Sequence, residues 1–387
     1  MSEIDTRLLA WSDLEVVMKK VLLTTSALAG ASLMAAPATA DAPVMTFSGA
    51  LAYEIVMFGG DVAQAGTGTN ITANEQQSEL VWDARGSADN GLNYRANLQW
   101  RALTGNTGAF DESWIDFTGG FGRLYIGSED GVSDLVAGTS GHSVQVGTWG
   151  TDGNNALRHV NFLGIGTALG YYASHAGMTG DANKIGYITP NFGGFSAGVS
   201  YSPNSSTAQA AGTNNDANAN AFEFAAGWSG AFGDVTLGVD GSYGIADDQS
   251  GTLGTRAPED VGAYMVGATV GFAGFQVAGA WLDNQDSNCA AAVANCDAGD
   301  GWNIGASYNF GPGAVSVMWQ TSESDTDGNG RSDEADILHA GVNYRIAEGL
   351  SAHLNGYWFD LENEAGSGVA TNSNDATVVI LGTRITF

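Results

Sequence analysis

The chain is 387 residues long, with 42 Asp+Glu against 13 Lys+Arg and a formal net charge of −29 at pH 7. So acidic a chain lacks the basic footprint that phosphate backbones require, which excludes nucleic acid as a partner. Charged residues make up only 14% of it, against roughly 25% in soluble domains, yet past residue 40 no stretch nears the ~20 apolar residues of a helical membrane span.

In chain order, Met18-Lys19-Lys20 opens a short basic region, the run from Val21 to Ala36 is apolar, and Ala38-Thr39-Ala40 offers a small-x-small cleavage pattern. This predicts a secretory signal peptide over 18–40, export through the general secretory pathway, and a mature chain from Asp41. Residues 1–17 hold Glu3, Asp5, Asp13 and Glu15, unlike the start of a signal peptide, and read as an extension from a misassigned upstream start. Without residues 1–40 the acidic imbalance persists, and Lys184 is the only lysine left. No hinge rich in Pro or Ser divides 41–387, which reads as one barrel domain.

From residue 41 onward the recurring unit is a pair of alternating segments joined by a very short turn, then a longer stretch rich in Gly, Asn, Asp, Ser and Thr. Strands are expected near 44–58, 75–86, 91–103, 110–118, 121–129, 183–189, 195–203, 219–230, 235–246, 260–271, 275–284, 300–309, 314–323, 335–346, 350–361 and 376–387. Period two is the strand period. In 91–103, Leu92, Tyr94, Leu98 and Trp100 form one face, and Asn93, Arg95, Asn97, Gln99 and Arg101 form the other. In 335–346, Leu338, Ala340, Val342 and Tyr344 oppose His339, Asn343 and Arg345. The last segment stops on Phe387 with no polar tail, whereas chain ends in soluble proteins usually fray into water. A secreted β-sandwich would also alternate, but its wet face would favour Lys and Glu over Arg, Asn and Gln. The expectation is all-β: a 16-stranded antiparallel transmembrane β-barrel in the outer membrane of a Gram-negative bacterium, with short periplasmic turns and long external loops.

Two blocks carry a family likeness. Phe121-Gly122-Arg123-Leu124 with Gly127 precedes a long insertion, and Tyr187-Ile188-Thr189-Pro190-Asn191-Phe192-Gly193-Gly194-Phe195 follows it. With the terminal Phe387, they resemble the Gram-negative general diffusion porins, most of all the alphaproteobacterial branch of Rhodobacter and Paracoccus relatives. The resemblance covers the whole of 41–387. It implies a homotrimer that passes small hydrophilic solutes by diffusion, with the third external loop, here about 130–182, folded into the lumen. It also implies that Ile385 and Phe387 belong to the signal read by the barrel-assembly machinery.

Such a pore's chemistry is a field between arginines on the wall and carboxylates on the inward loop. Arg85, Arg95, Arg101 and Arg123 lie on neighbouring strands with lumen parity. The bland alternative is that Arg85 and Arg123, near the turns, only pair with acids at the mouth. Glu129, Asp130, Asp134 and Asp152 are the loop-side candidates, or else ordinary solvated acids; Arg158 and His159 add positive charge within the loop. A lumen lined by this chain is expected to prefer cations, since fixed charge sets the local counter-ion concentration.

Asp325, Asp327, Asn329, Asp333 and Asp336, with Gly330 at the sixth position, follow the oxygen spacing of a calcium loop. Asp replaces Glu at the twelfth position and strands flank it, so a hydrated acidic loop is the alternative. Calcium joining the acidic loops to lipopolysaccharide is a further expectation. Cys289 and Cys296, an even pair in an exported chain, predict a disulfide across an external loop. No cofactor is required. Five scattered His without a nucleophile motif argue against an enzyme, His339 beside some hydroxyl being the one reservation. Two other functions stay open: a substrate-selective channel on the same barrel, for which lumen-facing aromatics would be the sign, and a structural or adhesive barrel with a plugged lumen.

Overall fold

The alternating segments become sixteen antiparallel strands in the computed structural model of the chain. It describes residues 42–62, 70–101, 109–148, 156–163, 176–204, 218–248, 260–285, 296–325, 328–364 and 372–387. The expected extension, the signal peptide, Asp152, Cys289 and Asp327 lie outside them. In order the strands are β1 (Val44–Gly60), β2 (Ile71–Ser87), β3 (Asn93–Arg101), β4 (Ala109–Gly119) and β5 (Gly122–Ser128). After a five-residue helix, α1 (Val132–Val136), come β6 (Asn183–Ile188), β7 (Phe195–Asn204), β8 (Asn218–Phe232), β9 (Val235–Asp248) and β10 (Asp260–Phe272). Then follow β11 (Phe275–Asp283), β12 (Asp297–Phe310), β13 (Gly313–Asp325), β14 (Asp333–Ala347), β15 (Leu350–Glu362) and β16 (Ser373–Thr386).

Each strand pairs with its sequence neighbour, and β1 pairs with β16 to close the barrel. Closure satisfies every edge, which an open sheet in hydrocarbon could not do. The seam runs from Ala50↔Thr386 to Gly60↔Ala376, and Phe387 extends it by exchanging backbone hydrogen bonds with Gly49. β2 starts at Ile71, earlier than its alternation suggested, because a bulge opposite Ala52 and Tyr53 resets its register. The polarity of the alternation is as expected on β3 and β14: Leu98, Leu338 and Tyr344 face outward, while Asn97 and His339 are buried inward.

On the outer wall near the tight turns, Phe275 stacks on Tyr308 and Trp228 meets Phe232. Near the loops, Trp281 packs against Tyr264 and Trp302. Two aromatic bands separated by aliphatic wall are what the two interfaces of a bilayer select.

Two departures from simple alternation matter for the interior. On β16 the inward parity holds Val378 and Ile380, both fully buried, where polar residues would be expected. They join Val56, Ile337, Phe359 and Leu361 in an apolar cluster covered by Val160 and Phe162 of the segment between β5 and β6. Inward residues there meet protein instead of water, so they can be apolar.

The second departure concerns charge. At the loop end of β11–β16, carboxylates of outward parity stand directly opposite one another: Asp283↔Asp300, Asp300↔Glu323, Glu323↔Glu334, Glu334↔Glu362, Asp336↔Asp360 and Asp360↔Asp375. Opposed like charges weaken a ladder unless counter-ions or solvent screen them. Eight of the chain's carboxylates therefore stand on the outer rim, on the face away from the lumen.

Candidate functional site

The inner wall of β2–β5 carries charge in rows that the register defines. One row runs Arg85↔Arg95↔Asp116↔Tyr125, a second Asp83↔Asn97↔Trp114↔Gly127, a third Glu79↔Arg101↔Ala109. Arg85 and Arg95 face each other yet both donate to the Asp83 carboxylate in the next row, and Asn97 adds a third donor at 3.1 Å. Arg101 lies 2.7 Å from Asp111 and 3.7 Å from Glu79. Arg123 donates to Asp116 at 2.9 Å and to Glu129 at 2.7 Å, joining the wall to the start of the loop segment.

All four arginines predicted for the wall thus share one sector with inward parity. Arg85, 67% exposed at the turn end, fits the bland reading of a mouth pair. Arg123, 22% exposed and held at both ends, does not. Trp114 lies beside two of them, with the Arg95 guanidinium 4.6 Å and the Arg123 guanidinium 5.0 Å from its ring. Cation–π contact with this one ring stiffens both guanidiniums. Trp114 also donates to Glu112 at 2.8 Å, and Gln99 does so at 2.7 Å. Lumen-facing aromatics would be the sign of a substrate-selective channel. Trp114 and Tyr125 are inward, but both are covered, so they form no exposed aromatic track.

On the loop side, Glu129, Asp130 and Asp134 follow β5 directly, and Asp134 lies in α1. Burial outweighs the Arg123 pair and leaves the Glu129 carboxyl above its ordinary range. Asp130 is pushed up to about 8 by burial first and by Asp134 next, with Glu112, Asp181 and Glu129 adding to it. Its carboxyl is therefore mostly protonated at pH 7. Between the ordinary value of 3.8 and about 8, the unfolded chain has lost a proton that the folded chain keeps. This group's contribution to stability consequently falls as pH rises through that window and levels off above it. Ionisation adds negative charge beside the wall, so cation preference is expected to increase from about pH 6 to about pH 9, and Asp130→Asn to remove that increase. Reversal potentials measured across a salt gradient at each pH check this.

The rest of the segment runs along inward-facing side chains of distant strands. Thr139 N–H reaches Asp240 on β9 at 3.2 Å, Gly141 N–H reaches Asn303 on β12 at 2.5 Å, and His142 meets Gln320 on β13 at 2.6 Å. Val146 N–H then reaches Ser316, and the Gly147 carbonyl accepts from Asn355 on β15. His159 stacks on Phe58 of β1 and touches Asn74 of β2, with Arg158 exposed beside it. Burial holds both His142 and His159 below the usual histidine range. His339 is wholly enclosed, against Asn355 and the Tyr357 ring.

Asp327 of the calcium-template loop lies outside the described residues, and the other carboxylates there are engaged as follows. The Asp325 carboxylate accepts the N–H groups of Asn329 and Gly330 at 3.1 and 2.7 Å, and Asp333 accepts the Glu364 N–H at 2.8 Å. Asp336 faces outward further down β14, opposite Thr321 and Asp360. Among the described residues no group of three or more acidic, His or Cys side chains is gathered to hold a metal.

A sequence model of the Gram-negative porins matches residues 24–364. The chain belongs to the Gram-negative porin family. Among solved structures this porin is similar to the anion-selective porin from Comamonas acidovorans, at 16% identity and a TM-score of 0.60 over 89% of this chain and 100% of that one. It is also similar to OmpT, an outer membrane protein of Vibrio cholerae, in its trimer form (14% identity, TM-score 0.58, 90% of this chain and 100% of that one). A double mutant of the Rh. blastica porin matches at 16% identity and a TM-score of 0.55, over 89% of this chain and 100% of that one. At such identities the likeness is one of fold. None of the curated proteins matches by sequence. Family and barrel together place this porin in the outer membrane, and its tight turns and chain end share one rim.

Proposed function

We propose that this porin forms a water-filled pore through which small hydrophilic solutes and ions diffuse, with a preference for cations. The observation that carries the reading is the inner wall of β2–β5. Its arginines are each matched by carboxylates, Asp134 adds acid on the facing segment, and Asp130 adds more as it ionises above neutral pH. A path along this wall meets fixed charges of both signs with an acidic excess, which attracts cations more than anions. The net charge of the chain is a weaker argument, because part of it stands on the outer rim and not in the lumen. The stretches 129–148 and 156–163, held against inward side chains, narrow the path from the other side. The pore works as a homotrimer, as OmpT does in its trimer form. Residues 18–40 act as its export signal, and Ile385 and Phe387, outward at the turn-end rim, serve its assembly. A Cys289–Cys296 bridge closes one external loop, and the acidic rim meets lipopolysaccharide. The two motif blocks favour the alphaproteobacterial branch.

Reconstitution of the purified protein in planar bilayers tests the reading. Stepwise conductance with a cation-directed reversal potential is expected. A membrane that stays silent would end the diffusion-pore reading, and an anion-directed potential would end the cation preference alone.

A further inference from the structure

Two oppositely charged side chains hold the root of segment 129–182, and each spans both of its arms. Glu223 on β8 points inward and is 1% exposed. On the outgoing arm its carboxylate accepts the Ser133 N–H at 3.3 Å and the Ser133 hydroxyl. On the returning arm it accepts the N–H groups of Met178 and Thr179 at 2.9 and 3.1 Å and the Thr179 hydroxyl at 2.7 Å. Lys184 on β6 does the reverse. Its ammonium donates to the Glu129 carbonyl, where the segment begins, and to the Gly180 carbonyl at 2.5 Å, where it ends.

These contacts satisfy two charges that burial would otherwise make costly. They also explain a sequence oddity, the one lysine of 41–387. Gly131 belongs to the same device, since a Cβ there would lie 1.7 Å from Glu223 Oε2. A side chain at 131 would drive α1 off the wall. The other wall contacts, from Asp240, Asn303, Gln320 and Ser316, each hold one arm at one point. Glu223 and Lys184 tie the arms to each other as well as to the barrel.

We infer that Glu223 and Lys184 form a latch that sets how far the two arms, at 129–136 and 178–182, stand from the inner wall, and thereby the width of the pore. They are positioning residues that act through the segment's backbone. The inference rests on the diffusion-pore reading, and wild-type conductance is measured first so that the two can fail separately.

The test compares wild type, Glu223→Gln, Lys184→Met and the mild Thr179→Val, each as the full assembled protein in planar bilayers. Liposome swelling with a graded series of neutral sugars gives the solute size limit, and electrophoretic mobility without boiling reports the folded barrel. Glu223→Gln replaces an acceptor-only group with an amide whose N–H₂ faces donors. It is expected to raise single-channel conductance roughly twofold, with a larger size limit, and Lys184→Met to do likewise. Thr179→Val removes one donor and is expected to shift both readouts in the same direction by less. A residue that merely stabilised the barrel would change its melting and leave conductance alone. Folded variants with wild-type conductance and size limit would overturn the latch. If Glu223→Gln and Lys184→Met fail to fold, an unchanged Thr179→Val pore overturns it equally.

Discussion

Gly382→Val is expected to prevent the barrel from closing. Gly382 sits on the last strand in register with Glu54 on the first strand and His353 on β15. His353 Nε2 and Glu54 Oε1 meet at 2.9 Å, reaching over β16, and both side chains are almost wholly buried (0% and 4% exposed). They can do so only because the residue beneath has no side chain. A Cβ at 382 would lie 2.3 Å from His353 Nε2 and 2.8 Å from Glu54 Cγ. A valine must push both partners aside, leaving two buried polar groups unsatisfied at about 1–3 kcal/mol each. Overpacking adds about 1–3 kcal/mol. The seam joins strands some 300 residues apart, so its loop-closure entropy is recovered only at the end of folding. Refolding into lipid vesicles, followed by mobility on unheated gels, should show little folded Gly382→Val. Gly382→Ala should lose less. A wild-type yield from the valine variant would be falsifying.

The second large effect is on selectivity. Arg95→Ala combined with Arg101→Ala should raise the cation-to-anion permeability ratio several-fold, on the order of what two fixed charges in a confined path produce. Asp83 would keep Arg85 but lose Arg95, while Asp111 and Glu79 would both lose Arg101. Trp114 would keep its Arg123 contact, so the wall should remain folded. Reversal potentials under a salt gradient read the change directly. No shift would mean that ions pass elsewhere in the barrel.

How far the chain was legible depends on the distance over which each feature is encoded. Strand positions and their polarity on β3 and β14 follow from residues two apart, and the tight turns from a few adjacent ones. The clustering of Arg85, Arg95, Arg101 and Arg123 was visible too, because their strands are neighbours in sequence. Their carboxylate partners were harder to see: Asp83 holds Arg85 from two places along its own strand, but it reaches Arg95 through a cross-strand diagonal that only the register reveals. The inward place of Trp114 was not legible locally, because a register shift between Leu98 and Trp100 offsets β4 against β3 between Phe110 and Trp114. Glu223 carried no local signal at all, since its donors lie 90 and about 45 residues away.

The alternation of side chains, the turn chemistry and the closing aromatic are local properties, and by themselves they determined a sixteen-strand barrel and which parity of each clear strand faces lipid. Tertiary structure decided where the charge went. The same acidic residues lie on the outer rim in β11–β16 and on the inner wall in β2–β5, and that partition follows from register and curvature. It also decided that Val378 and Ile380 could be apolar on the inside, because Val160 and Phe162 cover them. Closing the sheet brings Glu54, Gly382 and His353 into one row and both loop arms onto Glu223. Such contacts depend on the whole ring being complete, and no window along the chain contains them.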